Sequence, residues 1–281
     1  MSEEIQQLLK NLRLRKMAEI VEGELAAARK TSASYTDLLA RLLRAEWLDQ
    51  QERRLQARIK QAHLPEQWTL ESFPFKQQPG VSRRQIRELA ELEFIPKAIN
   101  VVFIGPTGVG KTGLASGLLP KALQNGYRGL FIKAQDLVDE MYASIADRAS
   151  RKLVRRWARL DVLLIDEVGY LNLRPEQTNI FFKLMEERYR HKATLITTNL
   201  EYDQWHVLLG HKDLTEALLS RLRHQCQTIH IKGPSLREPQ GCRSPQPRTH
   251  PPPCRNRRCG ILPDPLSHKL DSKLRYRGGS F

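Results

Sequence analysis

Apolar residues follow two regimes along this chain. Near the start they recur at helical spacing: Ile5, Leu8, Leu9 and Leu12 obey the i, i+3, i+4, i+7 rule. A second helix is expected from Ser34, where Asp37, three residues on, supplies a capping-box partner. It carries Leu38, Leu39, Leu42, Leu43, Trp47, Leu55 and Ile59 and stops before Pro65. A third is expected from Ser82, with Gln85 at the same spacing and Ile86, Leu89 and Ala90 facing inward. From about residue 99 short apolar runs take over: VVFIG (101–105), GLFIKA (129–134), DVLLID (161–166), ATLITTN (193–199) and TIHIKG (228–233). Helical stretches lie between them. One opens at Pro175 with Ile180, Phe181, Leu184, Met185 and Tyr189, and another covers 214–224. Buried strands alternating with helices predict an α/β fold with a parallel sheet. Pro120 falls about two turns into the helix after the first strand and is expected to bend or end it, because it removes a hydrogen bond.

The last segment breaks both patterns. Residues 234–281 hold nine of the 16 prolines and three of the four cysteines, with no apolar periodicity. Such a composition buries too little surface to offset ordering entropy, so the segment reads as a disordered basic tail. CRNRRC (254–259) has two cysteines but no partner pair, which favours the loose tail over a metal site.

Charge and composition narrow the classes. The chain has 281 residues with 46 Lys+Arg against 31 Asp+Glu, a net charge of +15. Residues 1–95 carry net +2, residues 96–237 net +7 and residues 238–281 net +6. A basic excess outside the tail points to a polyanionic partner. Hydrophobic residues make up 40%, enough for a core, yet no apolar run approaches the ~18 residues of a membrane helix. The start, MSEEIQQLLKN, lacks the basic head and apolar stretch of a signal peptide. Four cysteines in this length do not form a disulfide framework. A cytoplasmic location without membrane contact is expected.

Candidate chemistry appears at the ends of the apolar runs. GPTGVGKT (105–112) follows a strand and precedes a helix, the setting a phosphate loop requires. Backbone N–H groups of Gly105, Pro106's neighbours Thr107 and Gly108, then Val109 and Gly110, would close around phosphate oxygens at a helix N-terminus. Lys111 would face the β- and γ-phosphates and Thr112 would hold Mg²⁺. DVLLIDEVGY (161–170) delivers Asp166 and Glu167 at the carboxyl end of a strand, where open α/β sheets bind ligands. Asp166 suits Mg²⁺ through water, and Glu167 suits activation of an attacking water. Asn199 ends LITTN and would hydrogen-bond that water or the γ-phosphate. Arg221, in LTEALLSRLRH, is of the type that stabilises charge on a transferring phosphoryl group, against the plainer reading of a helix-face arginine. Arg237, after the last strand, is a further candidate for the same phosphates.

With these residues in view, the chain resembles the IstB-like ATP-binding proteins. These are AAA+ ATPases encoded beside the transposase of certain bacterial insertion sequences and related to the DnaC-type helicase loader. The resemblance covers residues 1–241. It rests on the helical start, FIPKAINVVFIGPTGVGKT (94–112), LDVLLIDEVGYL (160–171), LITTNLEYDQW (195–205) and LLSRLRHQCQTIHIKGPSLREPQG (218–241). It implies a helical N-terminal region over 1–70 and an AAA+ domain over 71–237 with a strand inserted between the two phosphate-site strands; the basic Pro-rich tail over 238–281 departs from the family pattern after Gly241. It implies Asn199 as sensor 1, Arg221 as an arginine finger acting on a neighbouring subunit, and Arg237 as a sensor-2-like residue. ATP and Mg²⁺ as cofactors, homo-oligomeric assembly on DNA and a partner transposase are implied with them.

Three basic clusters are candidates for DNA: Arg151, Lys152, Arg155, Arg156 and Arg159; Arg53, Arg54, Arg58 and Lys60; and Arg83, Arg84 and Arg87. Each also reads as a solvated face. No zinc-finger spacing or helix-turn-helix is apparent, so contact with duplex DNA is expected to be mostly sequence-independent. Two other functions stay open on the residues: a replicative helicase loader with the same ATPase core, and a P-loop small-molecule kinase, which would need an acceptor pocket.

Overall fold

The five apolar runs form five parallel strands: β1 (Asn100–Ile104), β2 (Gly129–Lys133), β3 (Val162–Asp166), β4 (Ala193–Thr198) and β5 (Cys226–His230). They lie in one sheet ordered β2-β3-β4-β1-β5. This computed structural model describes residues 3–65, 69–171, 173–210 and 212–237. The expected tail over 238–281, with CRNRRC, lies outside the described residues.

Successive strand residues face opposite sides, so each strand feeds two cores. Val101, Phe103, Leu164 and Leu195 point to one side, against α5 (Lys111–Gln124), α4 (Arg83–Ala90) and the end of α3 (Tyr35–Gln61). Val102, Ile104, Leu163, Ile165 and Ile196 point to the other. There they meet α6 (Ala134–Ala146), α7 (Ser150–Ala158), α8 (Pro175–Arg188), α9 (Trp205–Leu209) and α10 (Lys212–His224). Every residue of β1, β3 and β4 is buried, as two covering layers require.

The N-terminal helices form a small satellite. α1 (Glu3–Asn11), α2 (Arg15–Thr31) and the first half of α3 enclose only Leu9, Met17, Val21 and Leu42 as buried apolar residues. Ser34 caps α3 as expected: its side chain accepts from the Asp37 N–H. Ser82 caps α4 the same way through Gln85 N–H, and Ile86 and Leu89 are buried. Glu46 is buried in α3 and accepts from the Lys16 and Met17 N–H groups at the start of α2, at 2.7 and 3.0 Å. Burial pushes the Glu46 carboxyl up. Its bonds to Met17, Gln50 and Lys16 and the nearby Arg53 outweigh that and hold it below the ordinary carboxylate range. Arg53 is therefore bound to Glu46 and Asp49 within the satellite.

Two expectations change. Pro120 neither ends nor interrupts α5, which runs from Lys111 to Gln124. Leu118, Leu119, Ala122 and Leu123 on either side of it are buried at 0–1% exposure. Packing, which supplies most helix stability in proteins, outweighs the ~3 kcal/mol cost of a missing bond. The last strand is β5 at 226–230 rather than 228–233. It pairs with β1 from Asn100↔Cys226 to Ile104↔His230. Ile231 is wholly buried and so belongs to the apolar run, yet it opens a strap that leaves the sheet.

Candidate nucleotide site

The strand order makes the site. β4 lies between β1 and β3, so the loop after β1 and the acids after β3 face each other across the end of β4. Ligands in open α/β sheets sit at such a point, outside the carboxyl ends of the strands. A cleft of about 520 Å³ opens there. Its lining includes Thr107, Gly108, Gly110, Lys111, Thr112, Asp166, Glu167, Asn199 and Arg237. Seven of the expected residues and the acid pair thus meet in one place from four separate segments.

The loop 105–110 turns sharply into α5. Gly108 and Gly110 have φ of 85° and 93°, a region that side-chain-bearing residues rarely adopt. Lys111 Nζ curls back to donate to the Gly105 and Pro106 carbonyls, both at 2.8 Å. Burial lowers the Lys111 pKa and Arg237 lowers it further, against the opposing pull of Asp166 and Glu167. Thr112 Oγ1 donates to Asp166, 2.9 Å from Oδ1 and 3.1 Å from Oδ2. Burial raises the Asp166 pKa and Glu167 adds to the rise; hydrogen bonds from Thr197 and Thr112 and the charge of Lys111 work against it. A hydroxyl and one carboxylate together form the sparse, hard oxygen set that suits Mg²⁺ bound mainly through phosphates and water. Among the described residues no cluster of three His, Cys, Asp or Glu offers a denser cage.

Glu167 is exposed to the cleft and leaves β3 with φ 60° and ψ 41°. Asn199 stands at the end of β4, and its Oδ1 is buried with no partner. Gly169 packs directly on that oxygen: a Cβ at Gly169 would lie 1.8 Å from it. Tyr170 reaches across the mouth, and its hydroxyl is 2.6 Å from Thr107 Oγ1.

The strap after β5 closes one side. Ile231 N–H donates to Ile104 O and Leu236 N–H to Gly108 O, both at 2.8 Å. Gln78, fully buried, donates to Val109 O at 3.0 Å and Pro234 O at 3.1 Å. The strap thereby sets Arg237 on the cleft of its own chain. Arg221 sits elsewhere: its guanidinium donates to Ala217 O at 3.0 Å, lies 3.8 Å from Glu186 and stands over the Phe182 ring.

The basic clusters differ in what they touch. Arg151, Lys152, Arg155, Arg156 and Arg159 line a shallow groove of about 900 Å³ along α6 and α7, joined by Arg148. Arg156 pairs with Glu140, while Arg151, Lys152 and Arg155 are exposed. Arg54 and Lys60 are exposed, Arg58 is half-buried and Arg53 is engaged by acids. Arg84 pairs with Glu88, Arg83 stands over Phe75, and Arg87 is exposed.

Thr197, Gln78 and Tyr170 escaped the sequence reading. Thr197 lies two residues before Asn199 in LITTN, so its position at a strand end was visible; Gln78 and Tyr170 carried no local signal.

The comparisons with known proteins bear on the family and the fold. The family described as IstB-like ATP binding protein matches residues 7–244. The chain is 36% identical over 234 residues to the ATP-binding protein of insertion sequence IS21 from Pseudomonas aeruginosa, covering 83% of this chain and 88% of that one. It is 37% identical over 237 residues to the ATP-binding protein of insertion sequence IS5376 from Geobacillus stearothermophilus, covering 84% and 94%. Among solved structures, DnaI matches with a TM-score of 0.51 at 20% identity, over 59% of this chain and 92% of that one. AMPPCP-bound DnaA from Aquifex aeolicus matches with a TM-score of 0.50 at 23% identity, over 60% and 51%. These two likenesses concern the AAA+ fold.

Proposed function

Because the chain belongs to the IstB-like ATP binding protein family, we propose that it is a Mg²⁺-dependent ATPase that assembles on duplex DNA and assists a partner transposase. The observation that carries the reading is the meeting of Lys111, Thr112, Asp166 and Glu167 in one cleft. The phosphate loop and the N-terminus of α5 bind the triphosphate through backbone N–H groups and positive helix charge. Lys111 is released from its own loop carbonyls onto the β- and γ-phosphates. Thr112 and Asp166 hold Mg²⁺, which when bound neutralises developing phosphate charge. Glu167 accepts the proton of the attacking water, and Asn199 orients that water. Arg237 adds a positive charge from within the same chain. Arg221, set apart from its own cleft, acts on the nucleotide of a neighbouring copy in a homo-oligomer.

Duplex DNA is the partner that fits the exposed cations of α7. Charge on a helix face with no base-reading motif favours phosphate contact, steeply dependent on salt. The two insertion-sequence relatives favour a transposase over a replicative helicase as protein partner. Release of inorganic phosphate from Mg-ATP, with and without duplex DNA, tests the proposal. Lys111→Ala is expected to abolish turnover. Neutralising Arg151, Arg155 and Arg159 together is expected to keep basal turnover and remove the DNA effect. Wild-type turnover in Lys111→Ala would sink the site; phosphate transferred to a metabolite would favour a kinase.

A further inference from the structure

We propose that Thr197 is a positioning residue for hydrolysis, holding Asp166 and the backbone of Glu167 in one fixed arrangement; the proposal deepens the ATPase reading and rests on it. Thr197 lies in β4, between the strand that leads to the phosphate loop and the strand that ends in the acids. It is fully buried. Its Oγ1 donates to Asp166 Oδ1 at 2.5 Å and accepts from the Glu167 N–H at 2.9 Å. A threonine hydroxyl has one proton and two lone pairs, so these two bonds use it in a defined sense. The proton goes to the carboxylate, and a lone pair takes the amide.

The backbone at Glu167 explains why such a tether is needed. With φ 60° and ψ 41°, Glu167 occupies the left-handed region, which is unfavourable for a residue with a side chain. Strain of this kind persists only where the surroundings over-determine it. Thr197 supplies one restraint at Glu167 itself. The packing of Gly169 on Asn199 and the hydroxyl contact of Tyr170 with Thr107 supply two more further along the same loop. The kink directs Glu167 into the cleft, whereas the preceding Asp166 remains in the sheet facing Thr112. Thr197 thus registers the water-activating residue against Asp166 through one hydroxyl. Its β-branched shape alone does not do this; the hydroxyl does.

Thr197→Val keeps the shape and removes the hydroxyl, and Thr197→Ser keeps the hydroxyl. Three measurements on the full chain separate the roles: affinity for a fluorescent ATP analogue, Mg-ATP turnover, and hydrogen exchange at the Glu167 amide. In Thr197→Val, affinity is expected to stay within about twofold and turnover to fall about 10²-fold, the scale for a misplaced reacting group. Exchange at the Glu167 amide should accelerate. Thr197→Ser should restore both turnover and protection. Thr197→Ala carries the same comparison should the valine variant not fold. Wild-type turnover in Thr197→Val, unchanged exchange at Glu167, or a serine variant as impaired as the valine one would each overturn the proposal. If the wild-type chain releases no phosphate, the ATPase reading fails on its own. The exchange comparison then still decides whether Thr197 holds Glu167.

Discussion

Strand β1 and helix α3 both carry apolar residues at regular spacing, and they use them differently. All five residues of β1 are buried. Of the 27 residues of α3, only Leu42 and Glu46 are. Leu39, Leu43 and Trp47, spaced by one helical turn, remain 55–58% exposed. On α1, Ile5 and Leu8 are exposed as well, as is Leu12 just past its end, leaving Leu9 alone buried. A central strand is covered on both faces by helices, so each apolar residue finds a partner. In a three-helix satellite, one stripe of each helix is covered and the other meets solvent. Apolar spacing therefore predicts which element forms; burial depends on what packs against it.

The comparison can be broken by substitution, starting with the largest effect. Leu164 is wholly buried in β3 between the two layers. Leu164→Ala is expected to cost about 2–5 kcal/mol, because the closed core cannot collapse around the cavity. Urea unfolding of the whole chain measures it, and a loss below about 1 kcal/mol would show a looser core.

Glu46→Gln probes the satellite. The carboxylate accepts two N–H groups at the start of α2, where a negative charge also complements the helix dipole. Its replacement should cost about 1–2 kcal/mol near pH 7. The folded pKa lies below the unfolded reference of 4.5, so this contribution is full above that value. It is lost as pH falls through the folded pKa. Melting curves of wild type and variant should therefore differ at pH 7 and converge well below pH 4.5. A constant gap would show that the charge is irrelevant.

The smallest effect is expected at Leu43→Gln, within about 0.5 kcal/mol, because glutamine keeps helix propensity and the side chain already meets solvent. A cost approaching that of Leu164→Ala would mean the exposed stripe is buried in solution and would remove the contrast between the two regions.

Much of this was legible locally. GPTGVGKT, the DE pair after an apolar run and the Ser34 and Ser82 caps each depend on neighbours within a few positions, so the chain spells them out. Other features have partners far along the chain. Arg188 is buried and donates to carbonyls of Trp157, Leu160 and Ala193, tying α7 and β4 to α8. Burial lowers its pKa to about 9, with Asp161 opposing the shift. Nothing in the run FFKLMEERYR marks that arginine as interior. Gln78 joins the phosphate loop to a strap more than 150 residues later, and its neighbours in sequence are ordinary turn residues.

The sequence by itself determined the parallel sheet, several of its helices and the candidate residues of the phosphate site, because strand and helix periods, caps and the glycine-rich loop act over a few bonds. Only the tertiary structure decided that α5 passes through Pro120, that β5 ends at His230 and releases the strap over Gly108, and that Thr197 bridges Asp166 and Glu167. Those outcomes turn on whether a residue's partner lies on another strand or layer. The chain order does not carry that distance; packing the sheet between its helices creates it.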